Sequence, residues 1–451
     1  MFLTRQYRAK VELKDIPSAG YKTFFVRLVD KKDTVPDRPA TMITGINTME
    51  NEHLRVTVEP NGTMTITNKQ TGKVFERMGY FCDTAEVGDP WQHADVEAKQ
   101  DFTTINERAT VSLIRDGGLE AAFKISLEWP LPECRTADDK ARSRHTKTVR
   151  IDSTITLRKG QKWVDVVTEI DNTVEDHYLQ VAFPSGITAD TAFAQGQFDV
   201  LQRSVKLPYS EDFREPPQSE QPMNSFIDIT DGKNGLAILN EGMKAYEATD
   251  RKQPELRLTL LRSFPLRICV TTEMTDYSQV DKSSQCLGKH TFHYAVMPHQ
   301  GDWQEANIWN AAEQFNLPVV IGQTAPVKNG TEPTQKSFLE ISDDRIAVSA
   351  VKRSEDGTGW VVRLFNPTSG QIESRFRLNG GQANAFQISS SPVERLQNEM
   401  ALSGSSRRQW KAVYAVNLEE LLEHEVPLDE GGWCTVTLAS KKILTLKFTS
   451  D

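Results

Sequence analysis

Apolar and polar residues alternate in short runs along most of this 451-residue chain. Between residues 218 and 303 the runs read FIDI, GLAIL, LRLTLL and HTFHYAV, separated by Asp231-Gly232, Asn234-Gly235, Glu241-Gly242 and Pro298. A period of two sends alternate side chains to opposite faces of an extended chain, and Gly, Asn and Pro supply turns. The stretch therefore predicts antiparallel strands. LRVTVE and TMTITN alternate on either side of Pro60-Asn61-Gly62, which predicts a hairpin. Residues 108–183 add TVSLIR, AAFKISLEW, TVRIDSTITL, KWVDVVTEID and YLQVAF, interrupted by a charged, unstructured-looking excursion at 135–147. Beyond residue 335, FLEI, AVSAVK, WVVRLF and ILTLKF return to the same rhythm. At the start, two strand-like runs flank a turn at 17–20 (PSAG), and the polar 31–39, with two prolines, reads as a linker.

The period changes in two places. Asp302 and Glu305 stand three apart ahead of Ile308, Ala311, Ala312 and Phe315, so a capping box precedes a short helix that Pro318 ends. Asn417 with Glu420 three residues on, and Val416 stapled to Leu421, predict a second short helix, with the acidic 419–425 as its solvated face. Many short strands and two short helices make the chain mainly β, of sandwich architecture. The expected divisions are opening strands over 1–45 that pack with the β region and a large sandwich over 46–303. A short helix and connecting loop follow over 304–335, then a smaller sandwich over 336–451.

Composition narrows the function classes. A formal net charge of −9 leaves no overall basic excess to release phosphate counterions, which argues against nucleic acid as a partner. No run of about 18 apolar residues is available to span a membrane, and MFLTRQYRAKVELKD lacks the apolar stretch of a secretory signal. Cys82, Cys134, Cys269, Cys286 and Cys434 are scattered and odd in number. They fit reduced thiols in a cytoplasmic protein better than a disulfide or zinc scaffold. His290, His293 and His299 do not suggest a metal site, because residues three apart on a strand point to opposite faces.

Several phrases together resemble one family. Phe226-Ile-Asp-Ile, then the segment 235–242 (GLAILNEG), Leu260-Leu-Arg-Ser, His293-Tyr and the segment 298–303 (PHQGDW) are similar to the C-terminal β-domain of glycoside hydrolase family 38, the retaining α-mannosidases. The 17–21 phrase PSAGY and the opening 49–63 resemble the family's passage into its β-domain. Residues near 350–366 are similar to its later "A-v-K … E-d-g … R-l-f-N-p" phrase. The resemblance implies a large galactose-mutarotase-like sandwich followed by a smaller one. It also implies that this region shapes one side of an α-mannoside cleft and pairs with an N-terminal catalytic domain of the same polypeptide. That domain would hold zinc and the nucleophile. The family's His-x-His-x-Asp phrase is not found here, and His93-Ala94-Asp95 is the nearest match. No catalytic residue, metal ligand or cofactor is therefore expected in this chain.

The segment 86–93, EVGDPWQH, carries the best candidates for sugar contact. A Trp face stacks on the C–H patch of a pyranose, while Asp and His bond hydroxyls. Asp89, Trp91 and His93 match in order a family phrase of the form G-D-x-W/Y-x-H/Y; the plain alternative is Trp91 in the core with Asp89 capping a turn. Arg262 is the fourth candidate, since a guanidinium fork can bond a hydroxyl. Two rival functions stand beside the mannosidase reading: a free-standing sugar-binding sandwich, and a mutarotase-like epimerase. For the latter His93 or His177 could act as a base, but spacing ties no Glu to either.

Overall fold

The computed structural model describes residues 9–26, 40–209, 211–214, 217–270, 273–325, 330, 332–379 and 410–450. The chain forms two compact units, one within residues 1–11 and 34–319, the other within 12–33 and 320–451.

The first unit is built on a nine-stranded antiparallel sheet. Its spatial order is Asp199–Ser204, Thr191–Gly196, Phe226–Thr230, Asn234–Glu241, Gly288–Gln300, Val164–Asn172, Thr146–Arg158, Glu120–Pro132 and Thr110–Arg115. A six-stranded sheet runs Glu220–Pro222, Ala245–Ala248, Glu255–Ser263, His177–Pro184, Tyr80–Ala85 and Phe102–Thr103, and a five-stranded sheet runs from Ile43–Gly45 to Val74–Met78. Alternation does what the sequence suggests: in Met64–Asn68 every second residue is buried. Ile66, Phe123, Trp129, Phe183, Leu258 and Tyr294, drawn from all three sheets, meet in one core. The helix Ile308–Asn316 lays Ile308, Ala311, Ala312 and Phe315 on Phe226, Ala237 and Leu239. Nine residues are too few for a stable isolated helix, so this burial, about 1.5–3 kcal/mol for each large side chain, holds it in place.

The predicted capping box forms, but one turn early. Asp302 Oδ1 accepts from the amides of Gln304 and Glu305, and the Asp302 amide donates to Glu305 Oε2. The helix proper starts only after Asn307, which takes a left-handed φ of 51°.

Two predicted turns are strand instead. Pro298 pairs with Leu236 inside Gly288–Gln300. Its missing N–H is tolerated because the neighbour on the other side has ended, at the Val164↔Val296 pair. Gly235 also lies in a strand, where a Cβ would come within 2.0 Å of the His299 ring. Only a glycine admits the imidazole there.

The charged excursion is an ordered ladder. Ser143 N–H donates to Cys134 O and Thr136 N–H to Ala141 O, around an Arg135↔Arg142 bridge. Residues 10–15 form no strand, and the 31–39 linker lies outside the described residues.

The second unit holds a five-stranded sheet, in the order Ala347–Arg353, Gly359–Phe365, Ile443–Thr449, Ala412–Val416, Leu422–Val426, and a three-stranded sheet. Val362, Phe376, Leu446 and Phe448 meet in its core. Gly20–Lys22 pairs with Gln335–Ser337, so closely that a Cβ on Gly20 would lie 2.1 Å from Lys336 O. The second predicted helix is a hairpin turn. Asn417 Oδ1 accepts from the amides of Glu419 and Leu421, Glu420 takes a φ of 64°, and the chain returns as strand Leu422–Val426. A left-handed residue at that point stops a helix. Leu421 is exposed, so no staple forms.

Candidate functional site

All four predicted sugar contacts converge on one loop, and a residue not chosen from the sequence organises them. Glu86 follows the strand Tyr80–Ala85, and its carboxylate is fully buried. Oε1 accepts from the amides of Gly88 (2.7 Å) and Ala94 (3.2 Å). Oε2 meets His93 Nδ1 at 2.7 Å and accepts from Arg262 Nε at 2.8 Å. A buried carboxylate needs partners at this density.

Around that anchor the chain turns sharply. Asp89 Oδ1 accepts from the amides of Trp91 (2.8 Å) and Gln92 (2.9 Å), so Asp89 does cap a turn. A Cβ on Gly88 would sit 2.0 Å from Gln92 O. Arg262 closes the loop from outside, its Nη2 donating to Asp89 O at 2.7 Å, and Arg267 Nη1 donates to Val87 O at 3.0 Å. Trp91 is not in the core: 66% of it is exposed. Arg262 thus spends its fork on Glu86 and the loop backbone.

His93 stacks on Tyr178, with ring centroids 4.6 Å apart. Burial, then the Glu220 carboxylate, hold the Tyr178 phenol well above its ordinary pKa, so it stays a donor. Its hydroxyl bonds Glu220 Oε1 and Thr259 Oγ1, both at 2.7 Å. Burial also raises the Asp95 carboxyl.

A second charge centre lies just beneath. Asp83 Oδ2 meets His177 Nδ1 at 2.6 Å, Asp83 Oδ1 pairs with Arg142 Nη1 at 2.5 Å, and all three side chains are sealed from solvent. The Arg142 guanidinium also lies over the Phe102 ring at 5.2 Å. Both candidate histidines have a carboxylate partner, Glu86 for His93 and Asp83 for His177. The pairings cross strands or a folded loop, where spacing along the chain gives no signal. His290, His293 and His299 go to separate partners: Cys286 O, the Asp165 and Glu241 carboxylates, and Asp228. No group of three His, Cys, Asp or Glu side chains is arranged to hold a metal among the described residues. No disulfide joins the cysteines among the described residues. No helix among the described residues is long and apolar enough to cross a membrane.

Residues 49–265, which include the loop and Arg262, match the glycosyl hydrolases family 38 C-terminal domain, and residues 345–446 match the glycosyl hydrolases family 38 C-terminal beta sandwich domain. A putative mannosylglycerate hydrolase of Halalkalibacterium halodurans is 25% identical over 364 residues, 77% of this chain and 39% of the relative. Human alpha-mannosidase 2C1 is 23% identical over 381 residues, 81% of this chain and 33% of the relative. The chain thus spans well under half the length of either. In fold, an alpha-mannosidase from Enterococcus faecalis V583 superposes with a TM-score of 0.75 at 22% identity, over 91% of this chain and 43% of that one. Taken together the two matched segments cover more than half of the sequence, and the chain belongs to the C-terminal region of glycosyl hydrolase family 38.

Proposed function

We propose that this chain forms one wall of the glycan cleft in an α-mannosidase-type glycoside hydrolase, with Trp91 as the stacking platform and the bond-breaking groups on a separate catalytic domain. The observation that carries this is an exposed tryptophan on a loop anchored by the buried Glu86 carboxylate and capped by Asp89. Ordering a large apolar ring in water has no folding benefit, whereas a rigid platform lowers the entropy cost of binding a sugar. Asp89 and Arg262 hold the platform, and His93 offers its second ring nitrogen beside it. The test is a titration of the chain with methyl α-D-mannoside and α-mannobiose, followed by the Trp91 indole resonance, assigned by its loss in W91F. A saturable shift of that resonance supports the reading; sugar-independent spectra up to tens of millimolar, within the weak range expected of one wall, retire it.

The Glu86–His93 pair favours a second reading, a mutarotase-like proton transfer at the sugar's anomeric hydroxyl. Glu86 is saturated by its four donors, so His93 would act alone. Polarimetry of freshly dissolved glucose or galactose decides: acceleration lost in H93A would establish it, and the uncatalysed rate would end it.

A further inference from the structure

A cavity of about 480 Å³ opens in the same unit, lined by His53, Lys162, Lys233, His299 and Gln300 among others. It lies far from the Glu86 loop. The strand Gly288–Gln300 runs between the two places: Cys286, just before it, bonds Asn172 near the loop end, while Pro298, Gln300 and Gly301 line the cavity. Thirteen extended residues span roughly 40 Å.

Its volume falls in the range of small-molecule sites, about 300–1,000 Å³. Its floor is rigid. His299 is buried and bonds Asp228 Oδ1 at 2.7 Å through Nε2, and Gly235 leaves room for the ring. Asp228 and its neighbouring charges also hold the His299 imidazole more basic than usual, against the opposing effect of burial. One wall is closed by a Gln70–Gln300 amide contact of 2.9 Å, which leaves an amide donor and acceptor unused on the two side chains.

The charge is unusual for this chain. Two lysines face one carboxylate, Glu305, and that carboxylate already accepts the Asp302 amide. Neither Lys162 nor Lys233 has a carboxylate within ion-pair distance among the described residues. A protein of net charge −9 has thus placed two ammonium groups against a single carboxylate, with two imidazoles and three side-chain amides, around one cleft. In an acidic field such a spot is where an anion gains most, because it relieves the local excess.

We infer that this cleft binds a small hydroxylated anion, a sugar phosphate or sugar acid, with Lys162 and Lys233 on the anionic group and the glutamine amides on hydroxyls. The site is independent of the Trp91 loop.

Calorimetric titrations of the whole chain at low salt with mannose 6-phosphate, gluconate, inorganic phosphate and neutral methyl α-D-mannoside test it. Both lysines are exposed, so K162Q/K233Q should fold as the parent does, which its melting temperature checks. The anionic sugars should bind, at least about tenfold more weakly in K162Q/K233Q and unchanged in W91A. Inorganic phosphate binding as tightly as mannose 6-phosphate would support a site that reads the phosphate alone, and weaker binding one that also reads hydroxyls. Absence of anion binding, binding that K162Q/K233Q leaves intact, or equal binding of the neutral mannoside at this cleft would each overturn the inference.

Discussion

Asp83 and Glu86 lie three residues apart, and each meets one histidine through Nδ1 and one arginine. The Asp83 centre is closed on all sides. The Glu86 centre is open at its edge, where His93 keeps 22% and Arg262 17% of side-chain exposure. Identical chemistry thus serves two ends. Beneath, it rivets the 134–145 ladder to the six-stranded sheet, since Arg142 belongs to the former and Asp83 to the latter. Above, it stiffens a loop that presents Trp91. A sealed ion pair contributes little net stability over a well-packed apolar replacement, yet losing one partner leaves a buried charge alone. An open one lets water take the vacated place.

Mutation can break this contrast, and the largest effect belongs to the sealed centre. Asp83→Asn should lower the unfolding free energy by about 3–5 kcal/mol in urea titrations, and Asp83→Asn with Arg142→Met should recover part of it. A loss below about 1 kcal/mol would mean that the cluster is wet in solution. Glu86→Gln should cost less, about 1.5–3 kcal/mol, because its arginine can return to water. It should also abolish the sugar response of Trp91. If E86Q proves as costly as D83N, openness is not what separates the centres.

His293 sharpens the comparison, for it sits between two carboxylates, Asp165 and Glu241. Arg158 also holds Asp165, and the Phe315 ring lies 4.4 Å away. The hydrogen bond to Asp165, ahead of the opposing desolvation and the Glu241 bond, raises the His293 pKa above 6.5. Its contribution to stability is therefore full below pH 6.5 and fades as pH rises through the folded value. Melting temperature followed from pH 6 to 9 should fall less steeply in H293Q; identical slopes would show that the imidazole is not charged there. The smallest stability change belongs to Trp91→Ala, within about 0.5 kcal/mol for an exposed side chain. A large drop in its melting temperature would return Trp91 to a packing role.

Most of the strands could be read from alternation, because one buried face forces a period of two and that period survives in Met64–Asn68 or Ile372–Leu378. The 86–93 loop residues and Arg262 were legible as a group, but their organiser was not. Glu86 looks like any surface glutamate until the fold brings Arg262 to it from 176 residues away. Arg142 was hidden for the same reason, inside a run whose charges suggested solvent. The hairpin at Asn417 and the strand at Pro298 were misread because local rules describe one chain segment. What decided them was a left-handed Glu420 and a neighbouring strand that stops at Val164.

The position of Asn234-Gly235 bears on how the protein ages. Asn-Gly is the dipeptide most prone to deamidation, since the bare glycine lets its own nitrogen swing onto the asparagine side chain and close a succinimide. Here both residues are fixed in a ladder, Gly235 between Thr230 and His299 and Asn234 against Gln300. The extended geometry keeps the attacking nitrogen from its target, so conversion of Asn234 to aspartate on storage should report how often this corner of the sheet opens.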